Sequence, residues 1–232
     1  MRCFCAMGAG YRQRGVTTTT PAATTVQPMN QATAEVGVFE AMHTQRAVRS
    51  YLPDPVPDEL ITKVLDAAIR APSAINGQFA RFVVVTDPDK RRRLGELYLD
   101  AQQQSYNNPA AGTEWLRGQE AEIVEKAAKF AREVGDVPVF IIVCSTQRGV
   151  SHSVYPAVQN LLVAARSLGL GTVLTTLHTF RADEVRGVLG IPDDVHIVCG
   201  IPMGWPAVPF GPVRRRPLPE VAFWNQWEDH DE

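Results

Sequence analysis

Four short stretches carry the side chains of this sequence that could grip a ligand. "TQRAVRSY" sets Arg46 and Arg49 three positions apart, close together whether or not the preceding helix continues through them. "APSAINGQFARF" puts Ser73, Asn76 and Gln78 on a loop that enters a strand at Arg81. "VLTTLH" carries Thr175, Thr176 and His178 out of a strand. "GPVRRRPLPEV" lines up Arg214, Arg215 and Arg216 between prolines, which remove backbone donors and hold the chain extended. A guanidinium fork suits a phosphate, and amides and hydroxyls supply short-range donors and acceptors. Taken singly, each of these residues is a cap, a turn residue or a solvated charge.

Side chains for other chemistry are missing. The sequence contains no Gly-x-Ser-x-Gly elbow, no P-loop, no His-Glu-x-x-His and no Gly-x-Gly-x-x-Gly leaving a strand. Gly169 and Gly171 lead into a strand, the order expected of a helix stop and turn. His43, His152, His178, His196 and His230 have no ligand spacing, so no metal is expected. Acidic residues fall on helix faces and offer no isolated acid–base pair. No catalytic side chain is therefore nominated. With Lys+Arg 23 against Asp+Glu 25 and a net charge of −2, no global field draws the protein to nucleic acid, and any anion site must be local.

The elements that must position these groups alternate along the chain. Residues 1–34, rich in Thr, Ala, Gln and Pro, lack the apolar pattern that offsets ordering entropy and are expected to form a disordered leader; Met29 is an alternative start. Residues 35–232 are expected to form a single domain. "EVGVFEAMHTQ" predicts a short helix, and "PDELITKVLDAAIRAP" a second, with a stripe through Leu60, Ile61, Val64, Leu65, Ala68 and Ile69. Arg81–Thr86 and Pro138–Cys144 are β-branched runs of strands covered on both faces. A charged helical stretch between them breaks near "NNPAAG". "SVYPAVQNLLVAARSLG" predicts a long helix, "GTVLTT" a strand, "ADEVRGVLG" a helix and "VHIVCGI" a last strand. Phe223, Trp224 and Trp227 end a proline-rich tail and call for burial, on the same chain or on a second subunit. Cys144 and Cys199, inside apolar runs, read as buried thiols of a reducing compartment, and Cys3 and Cys5 form no framework with them. The N-terminus is a poor secretory signal and no stretch is apolar enough to span a membrane, so a cytoplasmic protein is expected.

In their order, these stretches resemble the FMN-dependent nitroreductase family from about Val38 to Val221. The segment around Arg46 resembles that family's Arg-Arg-Ser-Val-Arg opening, and "APSAINGQFARF" its Ala-Pro-Ser-x-x-Asn-x-Gln-Pro-Trp loop. "VQNLLVAARSLGLGTVLTT" resembles its central helix and strand, and the arginine triplet its basic tail. The resemblance implies an α/β (α+β) fold with a central mixed sheet flanked by helices, and FMN at a homodimer interface. It implies that Gln45, Arg46, Ala47 and Arg49 approach the FMN phosphate and ribityl chain, with Arg214, Arg215 and Arg216 returning to the phosphate. Ser73, Asn76 and Gln78 would reach the ring edge or ribityl hydroxyls, and Thr175, Thr176 and Leu177 would lie along the ring near its reactive nitrogen. Gln45 and Ala47 stand where the family has arginine and serine, and Phe79-Ala80 where it has Pro-Trp. The implied activity is ping-pong transfer from NADH or NADPH, through FMN, to a small-molecule acceptor such as a nitroaromatic or quinone. "TTLH" resembles the dehalogenase and flavin-cleaving branches, which supply the alternative; a non-catalytic flavin-binding module is a third reading.

Overall fold

The computed structural model describes residues 35–107 and 121–227. The chain divides into two units, Met1–Gln31 and Ala32–Glu232, and the described residues belong to the second. The expected leader and the "NNPAAG" break after Asn107 lie outside the described residues.

In chain order the elements are α1 (Val38–Thr44), α2 (Asp58–Ile69), β1 (Ala80–Val85), α3 (Pro88–Asn107), α4 (Ala121–Glu133), β2 (Val139–Ser145), α5 (Tyr155–Ser167), β3 (Gly171–Thr172), α6 (Ala182–Leu189) and β4 (His196–Gly204). The strands form one sheet in the order β1-β2-β4-β3, every neighbour antiparallel. Its parallel contribution is a single bridge between Ala47 and Thr172.

Local chemistry explains most boundaries. Asp87 caps α3 by accepting the Lys90 N–H at 2.9 Å, with Pro88 opening the helix where no donor is needed. After α5, Gly169 takes φ 79° and the Leu170 N–H turns back to the Ala165 carbonyl at 2.8 Å, the helix stop expected of that glycine.

The apolar run of β2 is buried on both faces because its side chains alternate between two cores. Val139, Ile141 and Val143 pack with Ile61, Val64 and Ala68 of α2 and with Val158, Leu161 and Ala165 of α5. Phe140, Ile142 and Cys144 pack with Leu94 and Tyr98 of α3, Phe130 of α4 and Val185 of α6. Helices therefore cover both faces of β2, whereas β1, expected to be covered on both faces, lies at the sheet edge with Arg81 and Val84 exposed, because it has a neighbouring strand on one side only.

One strand is shorter than its sequence predicts. The ladder of β3 stops at Thr172 rather than Thr176 because its partner on β4 is Pro202, which accepts the Val173 N–H at 3.4 Å but has none to return. Pairing resumes for one residue, Thr175, which exchanges both backbone bonds with Gly200 at 2.9 and 2.7 Å.

Candidate functional site

The segment after α1 is stitched between two parts of the sheet. Val48 donates to the Thr172 carbonyl at 2.9 Å, and Gly171 lets it lie close, since a Cβ at 171 would come within 2.8 Å of Val48 Cγ1. On the other side the Leu52 N–H reaches the Trp205 carbonyl at 2.8 Å, and the Ala207 N–H the Ser50 carbonyl at 3.0 Å. The Tyr51 hydroxyl closes the turn by donating to the Val48 carbonyl at 2.6 Å. With Val48 buried beneath it, the segment turns Arg46 and Arg49 outward.

Both arginines line a cavity of about 370 Å³, completed by Lys126, Lys129 and Phe130 of α4 and by Val208 and Pro209 of the tail. Among the described residues no carboxylate lines it; Glu133 and Asp136 line the neighbouring recess beside Tyr51. The result is an electropositive hollow with a buried aromatic wall, suited to an anion with an apolar part. The lysines and Phe130 were not nominated from the sequence. Their signal was present, since Lys126, Lys129 and Phe130 fall at i, i+3 and i+4 of one amphipathic helix.

The arginine triplet returns to the same neighbourhood, because the Val213 N–H donates to the His43 carbonyl at 3.4 Å, just before Gln45. Arg166 of α5 secures this junction. Its side chain is 9% exposed, its Nε donates to Thr44 Oγ1 at 2.8 Å, and one terminal nitrogen lies 3.6 Å from Glu40. Its guanidinium also stacks 4.1 Å from the Phe210 ring centroid. Burial lowers its pKa from the ordinary arginine value, with Glu40 opposing. Arginine inside an otherwise apolar helix was the sequence signal for this role.

Thr175 is committed to the fold. Its backbone pairs with Gly200, and its hydroxyl donates to the Tyr98 hydroxyl at 3.2 Å. His178, wholly buried, packs against Tyr98 and Phe140, and its Nε2 lies 3.0 Å from the Leu94 carbonyl. Burial drops its pKa to about 4, with the Leu94 bond opposing, so it is a neutral structural group. Leu177 opens a 3₁₀ turn through Arg181, while Thr176 faces a separate hollow with Gln147, Arg148, Tyr155 and His196.

Ser73, Asn76 and Gln78 lie elsewhere. Their loop follows α2 and is anchored at the start of α5 by the Ala74 N–H, which donates to Ser153 Oγ at 3.1 Å. Ser73 Oγ accepts the Gln78 N–H at 3.0 Å. Ile75, Asn76 and Gln78 all take positive φ, 51°, 54° and 48°, and the Ile75 side chain is 95% exposed. For a β-branched residue that is strained backbone, held by the loop's own hydrogen bonds. The Arg46 region meets the other end of α5, at Arg166. A 13-residue helix at about 1.5 Å per residue puts roughly 20 Å between the two. Within one chain, therefore, the loop residues and the arginines do not meet.

A four-stranded sheet packed between helices, with a cavity lined by cationic side chains beside the Arg46 segment, defines an α+β protein. Over residues 43–205 the sequence matches the nitroreductase family, and the chain belongs to that family. It is 30% identical over 202 residues to the NADH dehydrogenase of Thermus thermophilus, covering 78% of this chain and 92% of that one. It is 26% identical over 207 residues to the FMN reductase [NAD(P)H] of Bacillus subtilis, covering 84% of this chain and 76% of the relative. The crystal structure of oxidized iodotyrosine deiodinase bound to FMN and 3-iodo-L-tyrosine superposes with a TM-score of 0.68 at 24% identity, covering 82% of this chain and all of that one, a likeness of fold. Among the described residues, no helix is long and apolar enough to cross a membrane and no cluster could hold a metal ion.

Proposed function

We propose that this protein is an FMN-dependent NAD(P)H oxidoreductase of the cytoplasm that reduces nitroaromatic or quinone-type acceptors, with each site completed by a second copy of the chain. The observation that carries the reading is the cavity in which Arg46 and Arg49 meet, with the Arg214–Arg216 segment returning beside His43. The residues fit the group. A hollow of about 370 Å³, with no carboxylate among the described residues that line it, suits a phosphate dianion and an aromatic ring system.

When bound, FMN supplies the redox chemistry, taking a hydride from NADH or NADPH and passing it to the second substrate in a ping-pong sequence. The chain supplies position and field. Arg46, Arg49 and the tail arginines hold the phosphate, with Gln45 and Ala47 in the same turn; Phe130 excludes water from the cavity wall. Thr175, locked to Gly200 and Tyr98, fixes the backbone before Thr176 and Leu177, and Thr176 opens on a hollow apart from the Arg46 cavity. Ser73, Asn76 and Gln78 contribute from a second copy, which supports a homodimer, because in their own chain they sit at the far end of α5.

The test is direct. The purified protein should be yellow, bind FMN stoichiometrically and oxidise NAD(P)H when a quinone is present. The Arg46→Ala/Arg49→Ala protein should remain folded and lose at least about tenfold in FMN affinity, the size of one charge-assisted contact. A colourless wild-type protein that takes up no FMN sinks the proposal. Halide release from a halogenated phenol, or consumption of FMN itself under oxygen, would instead favour the dehalogenase or flavin-destroying alternative on this scaffold.

A further inference from the structure

We infer that the hollow faced by Thr176 is a second ligand site, one that takes a small aromatic carboxylate, with Arg148 as its charged anchor and Gln147, Tyr155 and His196 as further polar partners. It goes beyond the flavin reading, because this hollow lies at the other end of the sheet from the Arg46 cavity. Ala47, in that cavity's lining, bridges to Thr172, which pairs with Met203. His196 begins the same strand, β4, and pairs with Ser145. The stretch of β4 from His196 to Met203, at about 3.4 Å per residue, puts roughly 20 Å between the two ends.

The hollow measures about 510 Å³ and is built by local chemistry. Ser145 Oγ donates to the Gln147 carbonyl at 2.8 Å and accepts the Gln147 N–H at 3.3 Å, and Gly149 takes φ 76°, so the chain turns sharply after β2. Helix α5 then opens at Tyr155. The connection thereby sets Gln147, Arg148 and Tyr155 around the hollow with His196. Across from them the Thr179 hydroxyl donates to the Thr176 carbonyl at 2.6 Å and holds the 3₁₀ turn.

An exposed arginine by itself is a solvated charge. Here the Arg148 guanidinium shares its hollow with a half-buried imidazole, His196, and the Tyr155 phenol. Among the described residues none of the three polar groups makes a hydrogen bond or ion pair, and no carboxylate lines the hollow. Half-buried Ile197 and Val198 add an apolar wall. One guanidinium fork matches the single charge of a carboxylate, whereas a phosphate monoester carries about two. The apolar wall and the Tyr155 ring suit a flat aromatic body.

The experiment is an NMR titration of the protein as purified with benzoate, its neutral analogue benzamide and phenyl phosphate, for the wild type, Arg148→Gln and Arg148→Lys. Arg148 is exposed, so both variants should fold. Benzoate should bind the wild type, less well at high salt, and bind Arg148→Gln about tenfold more weakly, the size of one charge-assisted contact, with Arg148→Lys between them. Benzamide should bind all three alike, and excess FMN should leave benzoate binding unchanged. No benzoate binding to the wild type, equal binding to Arg148→Gln, or benzamide losing as much as benzoate would each overturn the inference. Competition by FMN would overturn it too, by moving benzoate to the Arg46 cavity, and so would tighter binding of phenyl phosphate than of benzoate, which calls for a second charge. The titration does not depend on FMN uptake, so a failure of the flavin reading is reported separately.

Discussion

Arg166→Ala tests whether the segments proposed to hold the FMN phosphate are kept in place by a side chain outside the Arg46 cavity lining. Three contacts disappear: the Thr44 hydrogen bond at 2.8 Å, the Glu40 pairing at 3.6 Å and the stack on Phe210 at 4.1 Å. A hydrogen bond to a charged donor contributes about 1.5–3 kcal/mol net. The stack adds about 0.5–2 kcal/mol. Glu40 is mostly exposed, so its pairing adds less than about 1 kcal/mol. Desolvation of the guanidinium offsets part of this, which leaves a net loss of about 2–3 kcal/mol. For a domain of this size that corresponds to a Tm lower by roughly 5–10 °C. The loss falls at the junction of α1 and the tail, so Arg46 and Arg214–Arg216 should lose their common placement, and FMN affinity should fall about tenfold. The assay pairs thermal unfolding of the FMN-free protein with fluorescence titration of FMN. Arg166→Lys, which keeps the charge without the fork, should recover part of the Tm. An Arg166→Ala protein with lowered Tm and wild-type FMN affinity would show that Arg166 braces the fold alone; an unchanged Tm would refute the packing argument itself.

Gly171→Ala should separate the Arg46 segment from β3, because the new methyl group meets Val48 at 2.8 Å; a loss of about 1–3 kcal/mol is expected, read as a lower urea midpoint with weaker FMN binding. His178 gives a pH dependence of defined sign. Burial holds its pKa at about 4, below its ordinary 6.5, so the unfolded chain binds the extra proton; the contribution is present above 6.5 and lost as pH falls towards 4. The slope is at most about 1.4 kcal/mol per pH unit, and His178→Gln should flatten it in urea unfolding between those values; an unaltered slope would assign it to other groups. Trp224 and Trp227 are 86% and 81% exposed in the single chain, and Trp227 stacks on Phe223, so among the described residues neither indole is buried against the domain. Ending the chain at Arg216 should abolish self-association in sedimentation velocity, and a shortened chain that associates as the full one does would mean these rings face water.

Helices α2 and α5 and strand β2 were legible in the sequence, because 3.6-residue and two-residue periodicities are local properties that a buried face imposes on its own segment. The helix stop at Gly169 was legible for the same reason: a positive φ is chosen by the residue that occupies it. The end of β3 was not. It depends on Pro202 standing opposite, a fact about pairing between segments that no window along the chain contains. Cys144 and Cys199 were legible as buried thiols; burial pushes them up to about 11 and about 12.

Residue type alone therefore marked Arg46, Arg49 and the arginine triplet as anion-binding candidates, and the order of the motifs pointed to the family. Only the tertiary structure decided their company. It brought Lys126, Lys129 and Phe130 of α4 to the arginine cavity, turned the Thr175 hydroxyl inward to Tyr98, and set the Ser73–Gln78 loop a helix length away from Arg46. The reason is physical: guanidinium, hydroxyl and amide chemistry belongs to a residue wherever it stands, but a site is a set of distances. Those distances follow from how two cores close over opposite faces of one sheet.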